Sequence, residues 1–474
     1  MPRHHAAVLL LLAVAALVYG GGRDAYGMLM WDEAEYASLA RALARGEGYA
    51  VAGAPESLRP PLLPLAGAAA IALAGRADDR TVKAASVALA LAALLVVYAA
   101  GALVWEPRTG AVAALLLAVA PWFWTATAQF LSEIPSLLCF AAAAFAWSLA
   151  LLRSPRWFYV AWLCAGLALL TRYTALLLGP LFALLTLSAW AGGATAPRRL
   201  LRGRDFWLAP LVAVAVVAPW FAWQAMTFGD PLVGLRRAAT QLQVYLPGVA
   251  MPWHAYLTGL PAMVTMPTAL ALLGGGVWAL RRRDAFALQC AVTVVFVLLW
   301  FSLYRYKEPR LVSAMLPAAA LLAAFAVTHG LAGGPSRRLG LPLLAALAGV
   351  VALGAQSAQQ TLTSVVTHGY PSFLEAAAFL RANSDPTALV GAANAPQVWW
   401  YAERRVVPFT DAEALPELLT RADWVVVVDF ERGQPPWVAA LPARIPAAAF
   451  AAGDAARFAD GRFTTVVARA SAVR

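Results

Sequence analysis

Stretches of Leu, Ala, Val and Phe recur along this chain, each roughly 17–22 residues long, the length that crosses a hydrocarbon core of about 30 Å. No water reaches that core, so each crossing must satisfy its own backbone polar groups. Continuous apolar runs do so as helices rather than as the alternating strands of a barrel. The chain therefore reads as an all-α polytopic membrane protein. With 62% hydrophobic and 13% charged residues, it is far from the composition of a soluble enzyme. Its formal net charge of +11 needs no nucleic acid, because Arg-rich loops set orientation and meet anionic headgroups. Cys139, Cys164 and Cys290 all lie in apolar runs without disulfide or zinc spacing, as buried small hydrophobes do.

Spans are predicted near 6–22, 84–104, 110–127, 132–152, 157–171, 174–191, 207–223, 256–280, 285–304, 311–332 and 340–357. A further apolar stretch, 61–75, opens with RPPLLPLAG and is short for a crossing, which suits a juxtamembrane or re-entrant helix. The basic clusters PRRLLRGR (197–204), RRRD (281–284) and SRR (336–338) belong on the cytoplasmic side. Counting 61–75 as a full crossing would put the 23–60 loop inside and the N-terminus outside; the preferred count excludes it and puts the N-terminus inside. The 23–60 loop, Glu133, RYKEPR (305–310) and the C-terminal region then lie outside. Residues 6–18 imitate the apolar part of a signal peptide, but VYGGGRDAYG offers no clear small-x-small cleavage site, so an uncleaved first span is expected.

After about residue 358 the pattern changes. PSFLEAAAFLRANS (371–384) has helical spacing at Phe373, Ala376, Ala377 and Leu380, and DAEALPELLTRA (411–422) reads as a second helix. TALVGA (387–392) and DWVVVVDF (423–430) read as buried strands, and RFADGRFTTVVARA (457–470) as a hairpin around Asp-Gly. The expected organisation is a membrane domain over 1–357, with its first outer loop at 23–60, and a small extracytoplasmic α/β domain over 358–474.

The first outer loop carries MLMWDEAEYASLARALARGEGY (28–49), with Asp32, Glu33 and Glu35 within four positions. A structural reading makes Asp32 the N-cap and Glu35 its capping-box partner. Tyr36, Leu39, Ala40 and Leu43 then form an apolar stripe, and Arg41 and Arg45 point to water or headgroups. The catalytic reading is compatible with it, because a cap fixes a carboxylate rigidly. A general base must reach a hydroxyl or amine nucleophile. A departing lipid phosphate needs cations to stabilise its charge. Arg59, Arg172, Arg305, Lys307 and Arg310 fall on the same predicted side. Arg172 lies in a very short turn between two spans, where a charge is costly unless paired or wet; snorkelling is the alternative. Glu133 begins another span, where helix-dipole stabilisation and a cleft role both fit.

Taken in order, WDEAEYASLARALARGEGY (31–49), RPPLLPLAGA (59–68), SEIP (132–135), FGDPL (228–232) and YKEPRLVSAMLPAAALLAA (306–324) resemble the bacterial GT-C glycosyltransferases. Within them the resemblance is to the branch holding the protein O-mannosyltransferases and the lipid A aminoarabinose transferase. It covers roughly residues 1–357. It implies a GT-C fold of about 11–13 transmembrane helices, each near the usual spanning length, and a catalytic acid in the first outer loop. It also implies a polyprenyl-phosphate sugar donor and transfer with inversion. By this resemblance Asp32 matches the catalytic Asp and Glu33 the neighbouring acid. Glu133 matches a second acidic position that is often Asp in relatives, and Lys307 and Arg310 match the late KEPR segment. Asp32, Glu33 and Glu133 are thus the candidate catalytic carboxylates, with Asp32 as the base. Arg59, Arg172, Lys307 and Arg310 are the candidate donor-phosphate ligands. The helix at 33–46 would be a lid or floor beside the lipid. Some relatives coordinate a divalent metal ion. No His-rich set stands here, His254 is isolated, and the sequence leaves the metal open.

The expected partners are the bilayer, a polyprenyl-phosphate-linked sugar donor and an extracytoplasmic acceptor that is a protein, a lipid or a glycan, with no nucleic acid. The expected location is a bacterial inner membrane, with the site and the C-terminal domain facing the periplasm. A lipid-linked sugar flippase would place charges inside its spans and show interrupted, symmetric helices; here the polar groups gather on one predicted face. A non-catalytic envelope assembly factor would use the acidic loop only as a cap. The orientation is checked by single cysteines placed in 23–60. They are expected to react with an impermeant thiol reagent in intact cells, and reaction only after permeabilisation would reverse the assignment.

Overall fold

The apolar runs fold as helices. The computed structural model describes residues 3–21, 30–191, 203–245, 251–331, 348–349, 351–356, 359–360, 370–409, 412–430 and 436–473. Among them, six helices are individually long and apolar enough to cross a membrane: Asp79–Val104, Glu133–Leu152, Tyr173–Trp190, Arg204–Phe228, Ala285–Ser302 and Pro309–Gly330. The expected spans 110–127 and 256–280 are each a bent pair. Pro107–Ala118 turns by 67° into Pro121–Thr127, and Ala255–Val264 turns by 115° into Met266–Arg282. Prolines explain the first break, since Pro121 cannot continue the preceding hydrogen-bond ladder but suits the first position of a new helix. At the second break Thr265 takes φ 75°, a conformation that a β-branched residue rarely adopts. His5–Gly21, Leu62–Ala74 and Trp157–Leu169 are shorter apolar helices. The 13-residue helices Leu62–Ala74 and Trp157–Leu169 are each about 20 Å long, which suits the reading of 61–75 as short and falls short of the full span expected over 157–171. The expected span 340–357 lies in large part outside the described residues.

The chain divides into two compact units, one built from Met1–Arg23, Ser57–Ala66 and Lys83–Thr363 and the other from Asp24–Glu56, Gly67–Val82 and Ser364–Arg474. The second is wider than the tail expected from sequence, because it takes in most of the first loop.

Small residues and aromatic rings set the packing of the first unit. Helices Asp79–Val104 and Pro107–Ala118 approach at Gly101 and Gly110. A Cβ built on Gly101 would stand 2.7 Å from the Gly110 Cα. Close backbone approach at small residues is how helices associate where lipid gives no hydrophobic driving force. Deeper in, the Trp147 ring stacks on Phe182 at 4.1 Å between centroids, and its Nε1 donates to Thr186 Oγ1 at 3.1 Å. Tyr19 donates to the Ala118 carbonyl at 2.7 Å, which ties the first helix to the same core.

The second unit holds a five-stranded sheet, whose strands lie in the order Arg405–Pro408, Leu389–Ala392, Trp424–Val428, Thr464–Arg469, Ala455–Ala459. A two-residue hairpin, β1 (Ala50–Val51) and β2 (Ala54–Pro55), lies apart from it; its turn residues Ala52 and Gly53 both have positive φ, as a tight hairpin requires. β3 (Leu389–Ala392) runs parallel to β4 (Arg405–Pro408) and to β5 (Trp424–Val428). β7 (Thr464–Arg469) is antiparallel to both β5 and β6 (Ala455–Ala459), with Asp460 and Gly461 at the hairpin turn. All five residues of β5 are buried because both sheet faces are covered. Phe373, Ala376, Ala377 and Leu380, on the helix Pro371–Asn383, join Val426 and Val428 on one face. Leu415 and Leu418 join Val425 and Val427 on the other.

The Gly101–Gly110 contact yields a direct test. A methyl at Gly110 would collide with the Tyr98 carbonyl oxygen. Gly110→Ala is expected to cost about 1–3 kcal/mol, read as a lower thermal midpoint of the purified protein in detergent.

Candidate active site

In the first unit, the helix Glu133–Leu152 begins with its only acidic residue, where the N-terminal partial positive charge favours a carboxylate. Glu133 is 3% exposed, and its Oε1 receives Arg172 Nη1 at 2.7 Å. Arg172 follows the end of Trp157–Leu169, with extended backbone, and precedes the tight turn Tyr173–Leu177. That break leaves the side chain free to point back at Glu133 rather than along a helix face.

Arg172 also lines a partly open cavity. The second cation on its wall is Arg310, from the segment after Lys307-Glu308-Pro309. Ser136, Thr174 and Ser313 add hydroxyls, and Phe140, Leu177, Val297 and Phe301 supply apolar surface. Ser136 stands three residues after Glu133, on the same face of its helix. Arg310 contacts Glu308, which also accepts from the Tyr306 hydroxyl. Each guanidinium on the wall is thus held by a carboxylate. The cavity therefore pairs anion-binding groups with a greasy wall.

The remaining predicted phosphate ligands are elsewhere in this unit. Lys307 is buried, and its ammonium donates to the Met251 carbonyl at 3.1 Å and the Tyr304 carbonyl at 2.5 Å, so it holds backbone and is not among the cavity's lining residues. Arg59 is half-buried ahead of Leu62–Ala74 and does not line the cavity either. FGDPL forms a turn, with Gly229 in the left-handed region and Asp230 Oδ1 accepting from the Leu232 N–H at 2.9 Å. Sequence reasoning missed Lys83, 1% exposed at the head of Asp79–Val104. It stands one residue before the predicted span, and a lysine beside a long apolar run was the available signal.

In the second unit, the acidic motif opens the helix Trp31–Ala44. The capping differs from the expected one. Met30, not Asp32, is the N-cap, and Glu33 Oε2 accepts from the Met30 N–H at 3.0 Å. Glu33 is fully buried in this role, and Asp32 is half-buried in the first turn. Tyr36, Leu39 and Ala40 face inward as predicted.

Arg41 overturns its prediction: it is 4% exposed rather than in water. It donates to the Trp399 carbonyl at 2.7 Å and the Trp400 carbonyl at 2.8 Å, and its guanidinium lies 4.7 Å from the centroid of the Trp400 ring. Those carbonyls end the helix Ala395–Ala402, where a cation is favoured. Burial lowers the Arg41 pKa to about 10, and Glu403 nearby offsets part of that; the group stays charged at neutral pH. Burial opposes ionisation of Glu403, yet Arg41, Arg381 and Arg45 together hold its carboxyl below the ordinary value. Two Trp residues 358 positions along the chain give no local signal for this partnership.

Among the described residues no three His, Cys, Asp or Glu side chains gather to hold a metal ion.

Residues 58–223 match the family model described as dolichyl-phosphate-mannose-protein mannosyltransferase, and residues 246–395 match that of the Alg9-like mannosyltransferase family. ArnT from Cupriavidus metallidurans, solved bound to undecaprenyl phosphate, superposes with a TM-score of 0.76 at 16% identity, over 97% of this chain and 97% of that one. This chain thus resembles the GT-C glycosyltransferases in its two family matches and in its ArnT-like fold. The archaeal oligosaccharyltransferase AglB from Archaeoglobus fulgidus, solved with an inhibitory peptide and a dolichol-phosphate, superposes at a TM-score of 0.54. Its identity is 12%, over 88% of this chain and 69% of that one. No curated protein sequence matches the chain.

The Glu133–Arg172 pair gives an asymmetric expectation for this helical bundle. Removing one partner of a buried pair leaves an uncompensated charge, so Arg172→Ala is expected to cost about 3–5 kcal/mol. Arg310 has a side chain 36% exposed, and Arg310→Ala is expected to cost under about 1 kcal/mol. Thermal denaturation of the two variants in detergent, side by side, checks the order.

Proposed function

We propose that the protein is an integral-membrane glycosyltransferase that moves a sugar from a polyprenyl-phosphate donor to an acceptor at the extracytoplasmic face of a bacterial inner membrane. The observation that carries the reading is the cavity in the first unit. It sets Arg172 and Arg310 beside three hydroxyls and an apolar wall, the chemistry that an anionic phosphate on a hydrocarbon chain requires. The two mannosyltransferase family matches support the reaction class. The lipid phosphates bound in ArnT and AglB support the donor class.

In this reaction an acceptor oxygen attacks the anomeric carbon on the face opposite the phosphate, and the configuration inverts. Asp32 accepts the proton from the acceptor hydroxyl. The bond between the anomeric carbon and the phosphate oxygen breaks, and polyprenyl phosphate leaves with the electron pair. Arg172 and Arg310 stabilise the charge that develops on that oxygen. Glu133 keeps Arg172 in place, and Glu33 holds the start of the helix that carries Asp32. Lys307 and Arg59 are retained as phosphate ligands only through the matched motif and the predicted side of the membrane.

The experiment is transfer of labelled sugar from undecaprenyl-phosphate mannose and undecaprenyl-phosphate aminoarabinose by the full chain in liposomes, wild type beside Asp32→Asn. Asparagine keeps the shape and removes the base, so turnover is expected to fall by at least roughly 10²-fold with an unchanged thermal midpoint. Wild-type turnover retained by Asp32→Asn would remove Asp32 as the base. Consumption of neither donor by wild type would count against the donor class.

A further inference from the structure

Within the second unit, the acidic helix Trp31–Ala44 is gripped at both ends by one short helix, Ala395–Ala402. At its start, the Gln397 amide satisfies both of its neighbours in one orientation. Its oxygen accepts from the Trp31 N–H at 2.9 Å, and its nitrogen donates to the Asn394 carbonyl at 3.2 Å. That N–H belongs to the first turn, which has no partner within its own helix. At the other end Arg41 reaches across to the Trp399 and Trp400 carbonyls, stacks on the Trp400 ring and stands 3.7 Å from Glu403. The short helix is itself pinned, because Asp79 accepts from Trp400 Nε1 at 2.7 Å and from the Tyr401 hydroxyl at 2.6 Å. The sheet lies directly behind it, since β3 leads into the helix and β4 follows it.

An ordinary amphipathic helix needs only its apolar stripe to dock. Here a buried guanidinium and a buried amide are added. Both fix axial position and rotation, which apolar contacts leave loose: a fork bonded to two successive carbonyls tolerates little sliding. We propose that Arg41 is a positioning residue for sugar transfer, and that through it and Gln397 the C-terminal α/β domain sets where Asp32 stands. The proposal rests on the reading of Asp32 as the base. It gives the C-terminal domain a part in placing the base.

The test uses the full chain in liposomes with the same two donors, and compares wild type, Arg41→Gln and Arg41→Lys. Transfer is measured together with amide hydrogen exchange. In Arg41→Gln, exchange over 31–44 is expected to rise at least roughly tenfold, while β3 and β5 keep wild-type protection. The kcat is expected to fall at least roughly tenfold with the donor KM within about twofold, because placement rather than binding is lost. Arg41→Lys keeps the charge without the fork and is expected to recover part of both. Faster exchange with wild-type kcat would make Arg41 structural only and overturn the proposal, leaving the function standing. Wild-type exchange in Arg41→Gln would overturn it whatever the turnover. Wild-type protein that consumes neither donor would remove the function reading and the positioning role with it, a result separable from the others because it appears without any substitution.

Discussion

A carboxylate at the head of a buried, apolar helix survives only if a positive charge answers it. In this bundle Arg172 answers Glu133 at 2.7 Å. The pair determines more than its own stability. It requires the chain to break between Trp157–Leu169 and Tyr173–Leu177, so that a guanidinium can turn toward a neighbouring helix. It also places the same guanidinium on the wall of the cavity that Arg310 shares. An arginine held by a carboxylate is rigid and partly neutralised before a ligand arrives, so an incoming anion meets an oriented fork rather than a mobile chain.

Buried charge is answered in two ways. Glu133 and Arg172 lie side by side as opposite charges. Lys307 in the first unit donates to two backbone carbonyls, and in the second Arg41 does the same, adding an aromatic face and Glu403 at its edge. The Arg41 arrangement joins a helix from near the start of the chain to a helix from near its end. It explains why the compact unit around the sheet is assembled from three separate stretches of sequence.

What the sequence made legible follows from the range of the forces involved. Apolar runs specify helices wherever they occur, and the Phe373, Ala376, Ala377 and Leu380 stripe and the WVVVV strand depend on periodicity within a dozen residues, so both were readable. The bends at Pro121 and Thr265 were less so, because a continuous apolar run hides a change of direction. Around the acidic motif the local rules identified a helix but misplaced its cap: Asp, Glu and Glu in one turn offer several competing donor–acceptor registers, and Gln397 and Arg41 favour the one with Glu33 inward. Arg41 was misread because an arginine on an amphipathic helix normally points to water. Only its tertiary partners, Trp399 and Trp400, reverse that. Lys307 too has partners that local rules do not show. The KEPR motif marks it as a phosphate ligand, while its two backbone carbonyls are visible only in three dimensions.

The hydrogen bond from Arg41 to the Trp399 carbonyl spans 358 residues of sequence. At synthesis rates of roughly 5–20 residues per second, the acidic helix waits about 20–70 s for its anchor. Throughout that interval Arg41 has none of the carbonyls that hold it in the finished protein, and Trp31 lacks the Gln397 amide. The segment that carries Asp32 is thus among the first parts of the chain to be made and among the last to be fixed. A ribosome that stops short of the C-terminal helix leaves a membrane bundle with its acidic helix unanchored, so completion of the chain acts as a timer on assembly of the acidic segment.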